Sequence, residues 1–198
     1  MKIIFKNITN VTHIHLNNAV GNDVYRPAMT GVFVDLRNKK LVCTDAHVLI
    51  MYPIEMHYEN EKDLAPDFTK EDCKIVPTEL FNKNKYMGDR KNYLFPFTYH
   101  LDEDYARVYA GTEEIFKCRY IKGNYPDYEK VVLSPKDKKP LEEIGLNIGI
   151  ISRLAKAVPR GTKVFKFVFH AQNRAVNLLE QNKHEKVIEA LIMPSMLL

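Results

Sequence analysis

Apolar and polar positions fall into short runs over two thirds of the chain, the pattern of strands rather than of long helices. Gly31-Val32-Phe33-Val34-Asp35-Leu36 leads into a turn at Arg37-Asn38-Lys39-Lys40 and then into Leu41-Val42-Cys43-Thr44, which predicts a β-hairpin. Further extended runs cover 93–98, 105–109 and 115–120, the last with one wet and one dry face, and a final trio covers 164–169, 175–179 and 187–192. Helical signals are fewer. The strongest spans 148–158, with apolar residues at 148, 151, 154, 155 and 158, Asn147 as N-cap, and Pro159 and Gly161 beyond its end. Two shorter helices are expected at 77–83 and 12–20.

The order of these elements has a period. Each expected helix is followed by strands, and the set recurs about every 65 to 70 residues, so the chain reads as three copies of one unit, a helix with three or four strands. A unit of that size cannot bury its sheet face and its helix alone; copies must pair, helix beside helix under a continuous sheet. With three copies one is left over, which points to self-association. The expected fold class is α+β. The acidic stretch 58–72 reads as a flexible insertion, and 133–140, with Pro135 and Pro140, as a linker.

Composition narrows the class. The 198 residues are 45% hydrophobic and 27% charged, ordinary for a globular chain. No run approaches the roughly 18 to 20 apolar residues of a membrane span, and Met1 to Asn7 has too short an apolar core for a signal peptide. Cys43, Cys73 and Cys118 form neither a metal knuckle nor a disulfide framework, so a reducing, cytoplasmic setting is expected. The net charge of +4 is unevenly placed. Residues 132–198 hold eleven Lys and Arg against six Asp and Glu, whereas 1–131 hold eighteen against nineteen. A basic last third on a neutral body is compatible with a nucleic-acid partner without requiring one.

Catalytic constellations are missing from the sequence. It contains no GxSxG, P-loop, GxGxxG or HExxH motif. Asp45 with His47, and His13 with His15, would share a strand face, but a metal needs three or four converging ligands and neither pair has obvious companions. Asp102-Glu103-Asp104 falls in an expected hairpin turn, where acids are commonplace. The reading is a non-catalytic protein with no metal and no cofactor.

Three segments resemble the bacterial sliding clamp, the beta subunit of DNA polymerase III. Thr44-Asp45-Ala46-His47-Val48-Leu49 resembles the family's TDGHRL segment, placed after a Gly-Val-Phe strand and a hairpin. Residues 121–132, with Gly123, Pro126, Asp127, Tyr128 and Val131, resemble IDGxFPDYxxVI. Leu191-Ile192-Met193-Pro194-Ser195-Met196-Leu197-Leu198 resembles the VVMPMRL ending with one residue inserted. Ile75-Val76-Pro77 and Ile144-Gly145-Leu146-Asn147 match family positions at helix starts. Three departures stand out: Ala46 replaces Gly, Val48 replaces Arg, and Leu197 stands where the family has Arg.

The resemblance implies clamp-like repeats of one helix on a mainly antiparallel sheet, as three half-domain units. Residues 1–132 would form a complete domain like the family's middle one, and 141–198 the second half of its last. It also implies a DNA-replication processivity factor or docking platform whose apolar pocket takes clamp-binding-motif peptides of DNA polymerase and of replication or repair proteins. That pocket would comprise Met29, Thr44, His47, Leu49, Pro126, Val131, Leu191 and Met193. Two or three buried anchors would each contribute about 1.5 to 3 kcal/mol before ordering costs, for micromolar affinity. Duplex DNA is a second implied partner, met by Lys83, Lys85, Arg153, Lys156, Arg160 and Lys163, of which 153, 156 and 160 share a helix face. A homo-oligomer is implied as well. The alternative left open is a clamp-derived interaction module that does not encircle DNA.

Overall fold

The computed structural model describes residues 3–6, 16–57, 67–81, 97–132, 143–158, 165–171, 173–180 and 188–195. Twelve strands are described: β1 (Ile3–Lys6), β2 (Gly31–Asp35), β3 (Lys40–Thr44), β4 (Val48–Pro53), β5 (Glu55–His57), β6 (Lys74–Pro77), β7 (Phe97–Leu101), β8 (Tyr105–Ala110), β9 (Glu113–Arg119), β10 (Phe165–Val168), β11 (Val176–Glu180) and β12 (Glu189–Ile192). Among the described residues there is one α-helix, α1 (Ile148–Ala157), between β9 and β10. The strands form two antiparallel sheets, of five strands in the order β5-β1-β7-β8-β9 and of seven in the order β10-β11-β12-β4-β3-β2-β6. The fold is α+β. Of the two shorter expected helices, the described parts are single 3-10 turns at Leu16–Asn18 and Thr78–Phe81, and their remaining residues lie outside the described set.

The seven-stranded sheet brings together strands far apart in the sequence. Strand β12 pairs with β4 through Leu191–Leu49 and Ile192–Val48, so the last trio of strands extends the sheet of the first hairpin. Both faces of the sheet are covered, which is why β2 and β4 read as unbroken apolar runs rather than alternating ones. On one face Val32, Val34, Leu41, Cys43, Val48, Ile50, Tyr52, Ala190 and Ile192 enter the main core with α1 and the inward residues of β7 and β8. On the other face Phe33, Val42, Leu49, Met51, Ile75 and Leu191 form a second, smaller core against Tyr125 and Tyr128. Gly31 is needed where the chain after β9 crosses β6: a Cβ there would lie 2.7 Å from Ile121 and 2.9 Å from the Val76 carbonyl oxygen.

Helix α1 begins as expected, with the Asn147 side chain accepting from the Gly149 N–H at 2.8 Å. Its buried stripe is rotated from the expected one. Ile150, Leu154, Ala157 and Val158 are buried, while Ile148 is 83% exposed and Ala155 is also exposed. The helix turns its small Ala157 toward the sheet, where the buried Tyr52 hydroxyl donates to the Ala157 carbonyl. That rotation brings Arg153 to the border of the buried face. Among the described residues no helix is long and apolar enough to cross a membrane.

Candidate functional site

The site is built on one row of the sheet. Thr44 pairs with Leu49 across β3 and β4, and Leu49 pairs with Leu191 across β4 and β12, so three side chains from distant parts of the sequence stand side by side. Leu49 and Leu191 form an apolar floor on the face away from α1. Beyond β12 the Met193 N–H donates to the His47 carbonyl at 3.0 Å, which ties the end of the chain to the β3–β4 turn. Ser195 then donates to Gly145 at 2.9 Å and anchors the tail just before α1.

Opposite this row lies the segment 121–132, held by two tyrosines. The Tyr125 ring stacks on Phe33 at 4.7 Å and its hydroxyl donates to the Val42 carbonyl at 3.1 Å. Tyr128, in a 3-10 turn (Tyr128–Lys130), donates to the Asp35 carboxylate at 2.8 Å. Asp35 is fully buried and also accepts from the Asn38 backbone at 3.1 Å, the Asn38 amide at 3.0 Å and Arg37 at 3.3 Å. Burial alone would raise the Asp35 pKa, but the Asn38 N–H, the Tyr128 hydroxyl, the Asn38 amide and Arg37 together hold it below the ordinary carboxylate value. The same latch pushes the Tyr128 phenol up, first by burial and then by its bond to Asp35.

Between these walls is a cleft of about 280 Å³, lined among others by Met29, Thr44, His47, Leu49, Pro126, Val131, Leu191 and Met193. All eight residues expected at a pocket are therefore brought together. Met29, Thr44, Leu49 and Leu191 are buried, while Val131 at 47% and Met193 at 40% exposure are apolar groups held open to solvent at the rim. Arg26, His47 and Asp127 add charge or polarity at its edge. Apolar walls with a few polar groups suit a ligand that buries apolar groups and is oriented by a few hydrogen bonds.

Residues that the sequence reading missed complete the lining: Arg26, Ala46, Val48, Asp127, Tyr128 and Ala175. Tyr128 and Asp127 lie inside the 121–132 segment that carries the resemblance, and Ala46 and Val48 are two of the departures from the family pattern. For Ala175, just before β11, nothing in the local pattern signals a role.

The expectation that Asp45 and His47 share a strand face is corrected. Residues 45–47 form the tight turn between β3 and β4, and Ala46 takes the left-handed conformation at φ 74°. The Asp45 carboxylate is occupied there, accepting from the backbone of His47 at 2.9 Å and of Val48 at 2.8 Å and pairing with Arg153. Among the described residues no group of three or more His, Cys, Asp or Glu converges as a metal site. Of the six residues expected to face DNA, Lys156 is exposed on α1 and Arg153 pairs with Asp45. Lys83, Lys85, Arg160 and Lys163 lie outside the described residues, as do His13 and His15. Asp102 behaves as a turn residue, accepting from the backbone of Asp104 and Tyr105.

No family model and no curated protein sequence matches the chain. Solved structures do. The fold is similar over 100% of this chain to the DNA polymerase sliding clamp of Pseudomonas aeruginosa, with 15% identity and a TM-score of 0.67. It is similar to the DNA polymerase sliding clamp of Bacillus subtilis at 13% identity and a TM-score of 0.69, and to the DNA polymerase III beta subunit of Thermotoga maritima at 13% and 0.67. The chain spans 66%, 65% and 66% of the length of those three proteins.

Proposed function

We propose that this chain is a non-catalytic, clamp-like docking platform of the replication machinery, whose cleft holds the short linear motif of a polymerase or repair protein. The observation that supports it best is the convergence of 29–49, 126–131 and 191–193 on one apolar cleft in a fold shared with bacterial sliding clamps. Duplex contact has weaker support. Among the described residues of α1, Lys156 is exposed while Arg153 is already engaged by Asp45. Peptide docking is therefore the function this geometry supports best.

The test is fluorescence anisotropy with a labelled clamp-binding-motif peptide. Met193 and Val131 are the substitutions of choice, because their exposure lets a charge replace them without opening the core. Binding is expected in the micromolar range. Met193→Asp should weaken it at least tenfold, since an anchor of about 1.5 to 3 kcal/mol is lost and a carboxylate is left against apolar atoms. Val131→Asp should act in the same direction, and Leu49→Asp, on the buried floor, should abolish binding. Equal affinity in the Met193→Asp protein and the wild type would sink the docking reading.

A further inference from the structure

We propose that Arg153 is a positioning residue for the cleft, acting through Asp45 from the opposite side of the sheet. The inference rests on the docking reading for its ligand, but the tether itself is a property of the fold. Helix α1 packs into the main core through Ile150 and Leu154, whereas the cleft floor of Leu49 and Leu191 belongs to the second core. The two faces meet at the end of the sheet, in the turn 45–47 that joins β3 to β4.

Three parts of the chain converge on that turn. Strands β3 and β4 enter it, the Met193 N–H donates to its His47 carbonyl, and Arg153 reaches it from α1. Asp45 divides its two oxygens between these tasks. Oδ1 accepts from the backbone of both His47 and Val48, and Oδ2 takes the Arg153 guanidinium. With Arg153 in place the Asp45 side chain is only 8% exposed, so its Oδ2 is held by the guanidinium rather than by bulk water. The backbone it must hold is also unfavourable, because Ala46 occupies the left-handed region. A carboxylate fixed at both oxygens opposes relaxation of that turn. His47, Ala46 and Thr44, which line the cleft, are carried by it. Arg153 lies 108 residues from Asp45, so the C-terminal part of the chain sets the cleft twice, once by β12 and once by this ion pair.

Two measurements on the full-length protein decide the matter. The first is backbone amide exchange at His47 and Val48 without peptide, in the wild type, Arg153→Ala and Arg153→Lys. Exchange at both amides should speed up about fivefold in Arg153→Ala and return most of the way in Arg153→Lys, the size being modest because Arg153 is 41% exposed. The second is peptide affinity in Arg153→Ala, Asp45→Asn and the double variant. Asparagine keeps the acceptor for the turn and removes the charge. Each single change should weaken binding about fivefold, and the double variant no further than either, the signature of one shared interaction. Unchanged exchange, additive losses, or faster exchange with unaltered affinity would each overturn the inference. If the wild type binds no motif peptide, the docking reading falls, and the exchange measurement alone then decides whether Arg153 holds the turn.

Discussion

Ala46 stands at φ 74° in the turn between β3 and β4, where the resembling family carries Gly. An L-residue in this region brings Cβ close to the following carbonyl, at a cost of about 1 to 2 kcal/mol. The Asp45 carboxylate, bonded to the two following amides, compensates by fixing the turn from the side. Ala46→Gly removes the steric cost but makes the unfolded chain more flexible, which returns part of the gain. The net expectation is a stabilisation of about 1 kcal/mol, seen as a melting temperature about 2 to 4 °C higher by calorimetry. A lower melting temperature would mean that the turn is held without strain. Of the three departures from the family pattern, Ala46 is thus the one that puts a strained backbone into the lining of the cleft itself.

At the scale of elements, the segment 121–132 forms a wall of the cleft because Tyr125 and Tyr128 bind it to the β2–β3 hairpin. The Asp35–Tyr128 bond is charge-assisted and fully buried at Asp35, so it makes this wall sensitive to acid. The folded-state pKa of Asp35 lies below its unfolded value. Its contribution is therefore whole above the unfolded carboxylate pKa and fades as pH falls through the folded one. Thermal melts taken from neutral pH into the acid range should show a steeper loss of stability for the wild type than for Asp35→Asn. Parallel curves would assign the acid limb to other groups. How far such elements were legible in the sequence follows the same physics. The hairpin 31–44, the strands after 105 and the start of α1 were readable because turn chemistry, alternation and an N-cap are local signals. The rotation of α1 was not, since Ala157 faces inward to meet Tyr52, a contact 105 residues away in sequence. Nor was the role of Tyr128, which depends on a carboxylate 93 residues earlier. The eight cleft residues came from the resemblance of three segments; alternation alone would have placed Leu49 and Leu191 in strands without saying that they are neighbours.

For the whole molecule, the decisive connection is the β12–β4 pairing. It joins a strand from the last quarter of the chain to the hairpin near its start, inside one sheet of seven strands. Helix α1 and the strands on both sides of that junction also share one buried cluster: Leu154 and Ile192 belong to it together with Ile50, Tyr99 and Val108. Removing the C-terminal part would expose the hydrogen-bonding edge of β4 and the apolar side chains that Ala190 and Ile192 now cover, an aggregation hazard in itself. Parts of a chain that share a sheet and a core cannot melt independently unless each holds without the other. The expected result is a single unfolding transition, with calorimetric and van't Hoff enthalpies in agreement and with near-ultraviolet dichroism and tyrosine fluorescence changing together. A chain cut at 140 should be poorly soluble or unfolded. Two separated transitions, or a folded 1–140 fragment, would show that the first part stands alone and that the last serves chiefly to close the cleft. The distinction bears on function, because in a single cooperative unit anything that loosens β12 loosens the floor of the cleft as well.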